Sequence, residues 1–257
     1  MDHAEQLQML KDAQGDPAKL ALATVDLAHS ALPVAERAAL KAALEAAAIP
    51  HWCDEAILAA LLEIPKKESA VQLGRLRELS VVEPFPARGG NATNVHEAAR
   101  LALRTRMAAD EQARFRTLAA RATACFADDH TPAGRIEWVY HLLCGEPESG
   151  ADELEKLDRD WSRSARPEDH YALAAALSEL GDSQLVQGRA RAWVLLATAG
   201  ARVSRGESAQ LTKTAENVLS LARSIADARA EADAQALLGD ALRAQGKLVE
   251  AQAAFEQ

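Results

Sequence analysis

Residues Ser80–Val95 read SVVEPFPARGGNATNV. Two short extended runs, SVVEPF and NATNV, flank PARGGN, and its Gly89-Gly90-Asn91 suits a hairpin, because glycine and asparagine tolerate the positive-φ backbone of a tight turn. The segments on either side keep a helical period. The stretch therefore decides between an uninterrupted run of helices and a helical unit carrying one small hairpin, and it favours the hairpin.

Upstream, LPVAERAALKAALEAAA has Pro33 in its first turn, where the missing N–H costs nothing, and the helix is expected to break before Pro50. Asp54 is a good N-cap for EAILAALLE, which puts Ile57, Leu58, Leu61 and Leu62 on one face. After Pro65, KKESAVQLGRLRELS carries Val71, Leu76 and Leu79 on a third helix. Downstream of the hairpin, HEAARLALRTRM makes a closing helix. Three helices, a two-stranded wing and a last helix form a winged-helix pattern over residues 32–106. Residues 1–31 are a lead-in with an apolar helix from about Ala18 to His29.

The remainder is helical. Phe115, Leu118, Ala119, Ala122, Cys125 and Phe126 follow an i, i+3, i+4 stripe. Residues 107–166 read as a helical linker domain, and residues 167–257 as helix–turn–helix pairs. In the last pair Leu238, Gly239, Leu242, Gly246, Ala251 and Phe255 have tetratricopeptide-repeat spacing. Gly239 would permit close helix packing, Gly246 would make the turn, and Ala251 and Phe255 would face the partner helix. Gly206 holds the matching turn position one pair earlier, 40 residues before Gly246, against the usual repeat of about 34. The final helix has no polar cap, which fits a segment of a longer array; the alternative is a helix that frays after Phe255.

Bulk composition agrees. Of 257 residues 49% are hydrophobic, mostly Ala and Leu, and only 4% are aromatic. Ala and Leu favour helices, so the fold expected is mainly α: a winged helix, a helical linker and an α-solenoid of tetratricopeptide-like pairs. No run of about 18 apolar residues is present to span a bilayer. Three widely spaced cysteines point to a reducing cytoplasmic setting rather than a disulfide scaffold. The net charge of -9 opposes non-specific nucleic-acid binding.

Modules in this order resemble the back half of STAND-class, NB-ARC-like signalling NTPases of bacteria. LPVAERAALKAALEAAAIPHWCDEAILAALLEI resembles the first two winged-helix helices of that family, and LGRLRELSVVEPF its third helix and first wing strand. NVHEAARLALR sits where the family carries a Met-His-Asp-type motif, and RIEWVYHLLCGEPESGADELEKLDRDW is similar to its following helical segment. The likeness covers residues 31–161, and the repeats extend it. It implies a nucleotide-binding domain upstream in cis and a protein or small-ligand trigger bound by the repeats.

Two departures limit what carries over. The phosphate loop G-x-x-x-x-G-K-[ST] is absent; GDALRAQGKL has the wrong spacing, with Leu248 where Ser or Thr must reach the metal. The motif reads Val95-His96-Glu97 rather than Met-His-Asp. The resemblance therefore gives His96 a nucleotide-phosphate contact only where an NTPase domain is joined; in the isolated chain it is a surface histidine near a helix N-terminus. No enzyme activity and no cofactor are expected.

Other candidates reduce to structure. Between Pro33 and Arg106, ten Lys and Arg face nine Asp and Glu, a charge of +1, too little for a DNA footprint. His51 with Cys53 and His141 with Cys144 lack the third and fourth ligands a metal needs. Cys125 and Cys144 lie in apolar stripes, where a thiol is inert. Trp138, Tyr140, Trp161 and Trp193 read as core anchors, and GADELEKLDRDW as a solvated face. The function expected is a non-catalytic sensor segment of a STAND-type ATPase. The alternative is a free-standing regulator whose winged helix reads DNA while the repeats bind a partner.

Overall fold

The computed structural model describes residues 3–183, 185–204 and 210–256. Among them the chain forms fourteen α-helices, one 3-10 turn and one two-stranded sheet, so it is mainly α. Gly206, read as a repeat turn, lies outside the described residues. Internal contacts divide the chain into two units that meet at Asp128 and Asp129, inside the stretch read as a single linker domain over 107–166.

The first unit contains α1 (His3–Asp12), α2 (Pro17–Ala28), α3 (Val34–Ala47), α4 (Glu55–Leu62), α5 (Lys66–Leu76), β1 (Val82–Pro84), a 3-10 turn (Pro86–Arg88), β2 (Thr93–Val95), α6 (Glu97–Asp110) and α7 (Gln112–Phe126). Local chemistry sets the helix starts. Asp16 accepts the Lys19 N–H, and Asp54 accepts the N–H groups of Ala56 and Ile57, satisfying donors with no partner inside the helix. Pro33 and Pro65 stand immediately before α3 and α5. Glu63 in the left-handed region, at φ 55°, ends α4.

Leu40 and Leu44 of α3, Leu58 and Leu61 of α4, Leu73 and Leu76 of α5 and Leu103 of α6 are all buried. The lead-in helix α2 packs on α3 and α6. On α5 the buried face is Ser69, Gln72, Leu73 and Leu76, so Val71 points away and is exposed. That follows from the 100° step per residue, which sets Val71 roughly opposite this face.

In the sheet Val82 pairs with Val95, Glu83 with Asn94 and Pro84 with Thr93. The two valines turn inward, and Gly89 takes φ 104° beside the 3-10 turn. Cys53 adds an antiparallel bridge on the other side of β2: its N–H donates to Thr93 O at 2.7 Å, and the Thr93 N–H donates back at 2.9 Å.

The second unit runs α8 (Pro132–Gly145), α9 (Pro147–Ser162), α10 (Pro167–Asp182), α11 (Gly188–Ser204), α12 (Leu211–Ser224), α13 (Ala228–Ala244) and α14 (Leu248–Phe255). From α10 to α14 each helix packs on the next, and α11 also touches α9 and α13. Where α8 meets α9 the backbones nearly touch: a β-carbon on Gly150 would lie 2.6 Å from Leu143 Cα. Thr131 caps α8 and Asp227 caps α13. No helix among the described residues is long and apolar enough to cross a membrane.

Candidate functional site

The hairpin of α13 and α14 shows how one helix pair closes. Gly246, at φ 76°, reverses the chain, and the Lys247 N–H donates to Leu242 O at 3.0 Å. Gly239 is buried, and a β-carbon there would run into the Phe255 ring. Ala251 is buried, whereas Leu238 and Leu242 are half-buried. Phe255 lays one side on Gly239 and leaves the other in solvent, 49% exposed.

One turn-to-helix junction fixes the preceding helices. Trp193 of α11 is buried, and its Nε1–H donates to Asp227 Oδ2 at 3.2 Å. Arg189 Nε donates to the same oxygen at 2.9 Å, and its Nη2 reaches Asp152 of α9 at 2.7 Å. Burial alone would raise the Asp227 carboxyl, but hydrogen bonds from the Ala230 N–H, Arg189 and Trp193 outweigh it and hold the group below its ordinary value. Asp227 is thus both the N-cap of α13 and the anchor that ties α11 and α9 to it.

Between α10, α11 and α12 lies a cavity of about 380 Å³. Ala174, Gly181 and Ala199 make its small-residue floor, while Tyr171, Ser178, Asp182, Thr198, Arg202 and Thr214 supply polar groups of every kind. Such a cleft can hold a peptide segment or a small polar ligand: small side chains leave space, and donors and acceptors at the rim fix orientation.

The first unit holds the other expected residues. His96 precedes α6, is exposed, and sets Nε2 3.5 Å from Glu83 Oε2 across the hairpin. Its backbone N–H donates to Val81 O, so the main chain is anchored while the imidazole faces solvent. On α5, Arg75 pairs with Glu36 at 3.0 Å, and Arg77 donates to Asn91 O in the hairpin. Lys66 and Lys67 are exposed next to Glu68.

His141 is buried with Nε2 3.2 Å from Glu137 Oε2, and Tyr140 is buried with its hydroxyl 3.1 Å from Glu179 Oε2. Trp138 and Trp161, read as core anchors, are only half-buried, and Arg135 stacks 4.5 Å over the Trp138 ring. Cys53 is buried; desolvation pushes its thiol well above the usual range, with Asp54 adding to the effect. Cys125 is raised by the same two causes. No cluster of three potential metal ligands occurs among the described residues.

Sequence reasoning missed Arg104 and the groove. Arg104 is fully buried on α6 and donates from Nε to Ala48 O at 2.7 Å and from Nη2 to Ile49 O, covering carbonyls that the end of α3 leaves unpaired. A lone arginine at an apolar helical position was its only signal. Comparisons with protein-family models, with curated proteins and with solved structures each return no match.

Proposed function

We propose that the chain is a non-catalytic sensing and coupling segment of a STAND-class signalling NTPase. Residues 32–106 act as a winged-helix coupling module, and the helix pairs of 167–257 act as a tetratricopeptide-like solenoid that receives the trigger. The observation that carries this reading is the groove between α10, α11 and α12, with its small-residue floor and polar rim, set in a run of successively packed helices. The order of three helices, a hairpin and a closing helix supports the coupling module. The trigger is a protein segment or small ligand whose binding favours one arrangement of the parent protein over another, since only differential affinity shifts such an equilibrium. His96, exposed at the start of α6, contacts nucleotide phosphate when an upstream domain supplies the nucleotide. DNA and membrane are not partners in this reading.

Affinity purification of the tagged protein from its native host tests the trigger site, comparing wild type with Ala175→Trp. Ala175 lines the groove and is exposed, so the indole fills the cleft without entering the core. The expected result is a co-purifying protein or small molecule that is lost with Ala175→Trp and kept with Lys67→Ala in the other unit. The same bound set with both variants overturns the assignment of the groove.

A further inference from the structure

The groove between α10, α11 and α12 is lined at helical spacing. Ala174, Ser178 and Asp182 recur every four residues on α10, and Leu195, Thr198 and Arg202 follow i, i+3, i+7 on α11. Among the described residues that line it, Asp182 and Arg202 are the charged ones; both are exposed, and neither makes an ion pair or a side-chain hydrogen bond. The hydroxyls are held by their own helices: Ser178 Oγ donates to Ala175 O at 2.6 Å, Thr198 Oγ1 to Val194 O at 2.9 Å and Thr214 Oγ1 to Gln210 O at 3.2 Å. A hydroxyl has one hydrogen, so each of these is left with lone pairs to accept. An occupant must therefore bring donors along the middle, a positive group for Asp182 and a negative group for Arg202. A peptide has that set, because its backbone N–H groups donate and its side chains carry either sign. A phosphate ester would meet one cation and a row of acceptors.

The distance between the two charges sets the spacing. A β-carbon on Gly181 would lie 3.5 Å from Leu195 Cδ2 and 3.7 Å from Val194 Cγ1, so these residues stand level where α10 packs on α11. Asp182 adjoins Gly181, whereas Arg202 lies two turns beyond Leu195, about 11 Å along the axis at roughly 1.5 Å per residue. An extended chain advances about 3.3 Å per residue and turns alternate side chains to the same side. Four positions, about 13 Å, is therefore the even spacing that reaches both charges, and two positions, about 7 Å, falls short. We infer that the groove binds an extended protein segment with a basic and an acidic residue four positions apart, the basic one paired with Asp182 and the acidic one with Arg202. This rests on the reading of the groove as the trigger site and names the chemistry of the trigger. The floor of Ala174, Gly181 and Ala199 lets the backbone of the segment lie close.

Fluorescence anisotropy of the full chain with labelled pools of peptides about nine residues long tests it. The salt is set at about 0.15 M, which screens the net charge of -9. Both peptide ends are blocked, and all positions but two are varied. Two pools fix lysine and glutamate four positions apart, one in each order; two controls fix lysine at both positions or glutamate at both, and a last pool sets lysine and glutamate two positions apart. Wild type is expected to bind one of the first two pools at least about threefold more tightly than the other three kinds. Arg202→Glu should turn the preference to the all-lysine pool, and Asp182→Lys to the all-glutamate pool. Both side chains are exposed, so circular dichroism should be unchanged in either variant. No binding, equal binding of every pool, or a preference that survives both substitutions overturns the inference. Equal binding that Ala175→Trp abolishes overturns the charge rule alone and keeps the groove as a protein-binding site. The trigger role is decided separately by affinity purification from the host, whose failure leaves the ranking of the pools intact.

Discussion

Gly150 gives the sharpest test of the packing. Replacing glycine by alanine inside a helix ordinarily stabilises it by up to about 1 kcal/mol, because glycine is the costlier residue to order. At Gly150 the added methyl would meet Leu143 Cα and N at 2.6 Å and Leu142 C at 2.9 Å, all main-chain atoms that cannot swing aside. Carbon contacts relax near 3.5–4.0 Å, so α9 must retreat from α8 by about 1 Å where they cross. Ala151 and Leu154 of α9 and Leu143 of α8, all buried, lose contact together. Overpacking of this kind costs roughly 1–3 kcal/mol, which exceeds the gain in propensity, so Gly150→Ala should be destabilising by about 2 kcal/mol. Two companion variants separate the effects. Gly74→Ala meets nothing within 4 Å and should be stabilising by about 0.5–1 kcal/mol. The nearest atoms that Gly239→Ala meets belong to the half-exposed Phe255 ring, which can rotate outward, so this variant should fall between the two. Guanidinium denaturation followed by circular dichroism ranks the three midpoints. A Gly150→Ala midpoint above wild type, alongside that of Gly74→Ala, would refute the close approach of α8 and α9.

Three further outcomes follow from the same contacts. Arg104→Met keeps apolar volume but strips the donors from the carbonyls of Ala48 and Ile49, and should lower stability by about 2–4 kcal/mol in denaturant titrations; a change below 0.5 kcal/mol would contradict the burial of those groups. Asp227→Asn keeps an N-cap but removes the carboxylate, whose folded pKa lies below its ordinary 3.8, so the charge stabilises fully above about pH 4 and its contribution fades as pH falls through the lowered value. The stability gap between wild type and Asp227→Asn should thus be widest at neutral pH and close in acid, and a gap constant down to about pH 2.5 would refute the carboxylate's role. Cys53 and Cys144 are buried and Cys125 is half-buried, so Ellman's reagent at about pH 8 should leave the first two unreacted and label the third slowly, whereas the unfolded chain reacts at all three. Rapid labelling of all three in the native state would contradict the packing.

What was legible in the sequence was local. The hairpin declared itself through glycine and asparagine between extended runs, and the helix starts through Asp54, Pro33 and Pro65. These signals act within a few residues and survive whatever packs above them. Val71 shows the next difficulty: periodicity tells that a helix has an apolar face, but α5 turns Ser69 and Gln72 inward, and the core rather than the pattern selects that face. The bridge from Cys53 to Thr93 spans 40 residues, and the contact from Arg104 to Ile49 spans 55, so neither has a local cause to read. The groove depends on the placement of three helices at once, and its residues are small and ordinary one by one.

The most direct measurement of the central claim, that this chain is the coupling and sensing part of a signalling NTPase, is the size of the endogenous protein. An antibody raised against the chain is used to blot extract of the native host. The account predicts a band far larger than 27.5 kDa, whose peptides include a phosphate-binding loop upstream of Pro33. A band at 27.5 kDa would contradict it.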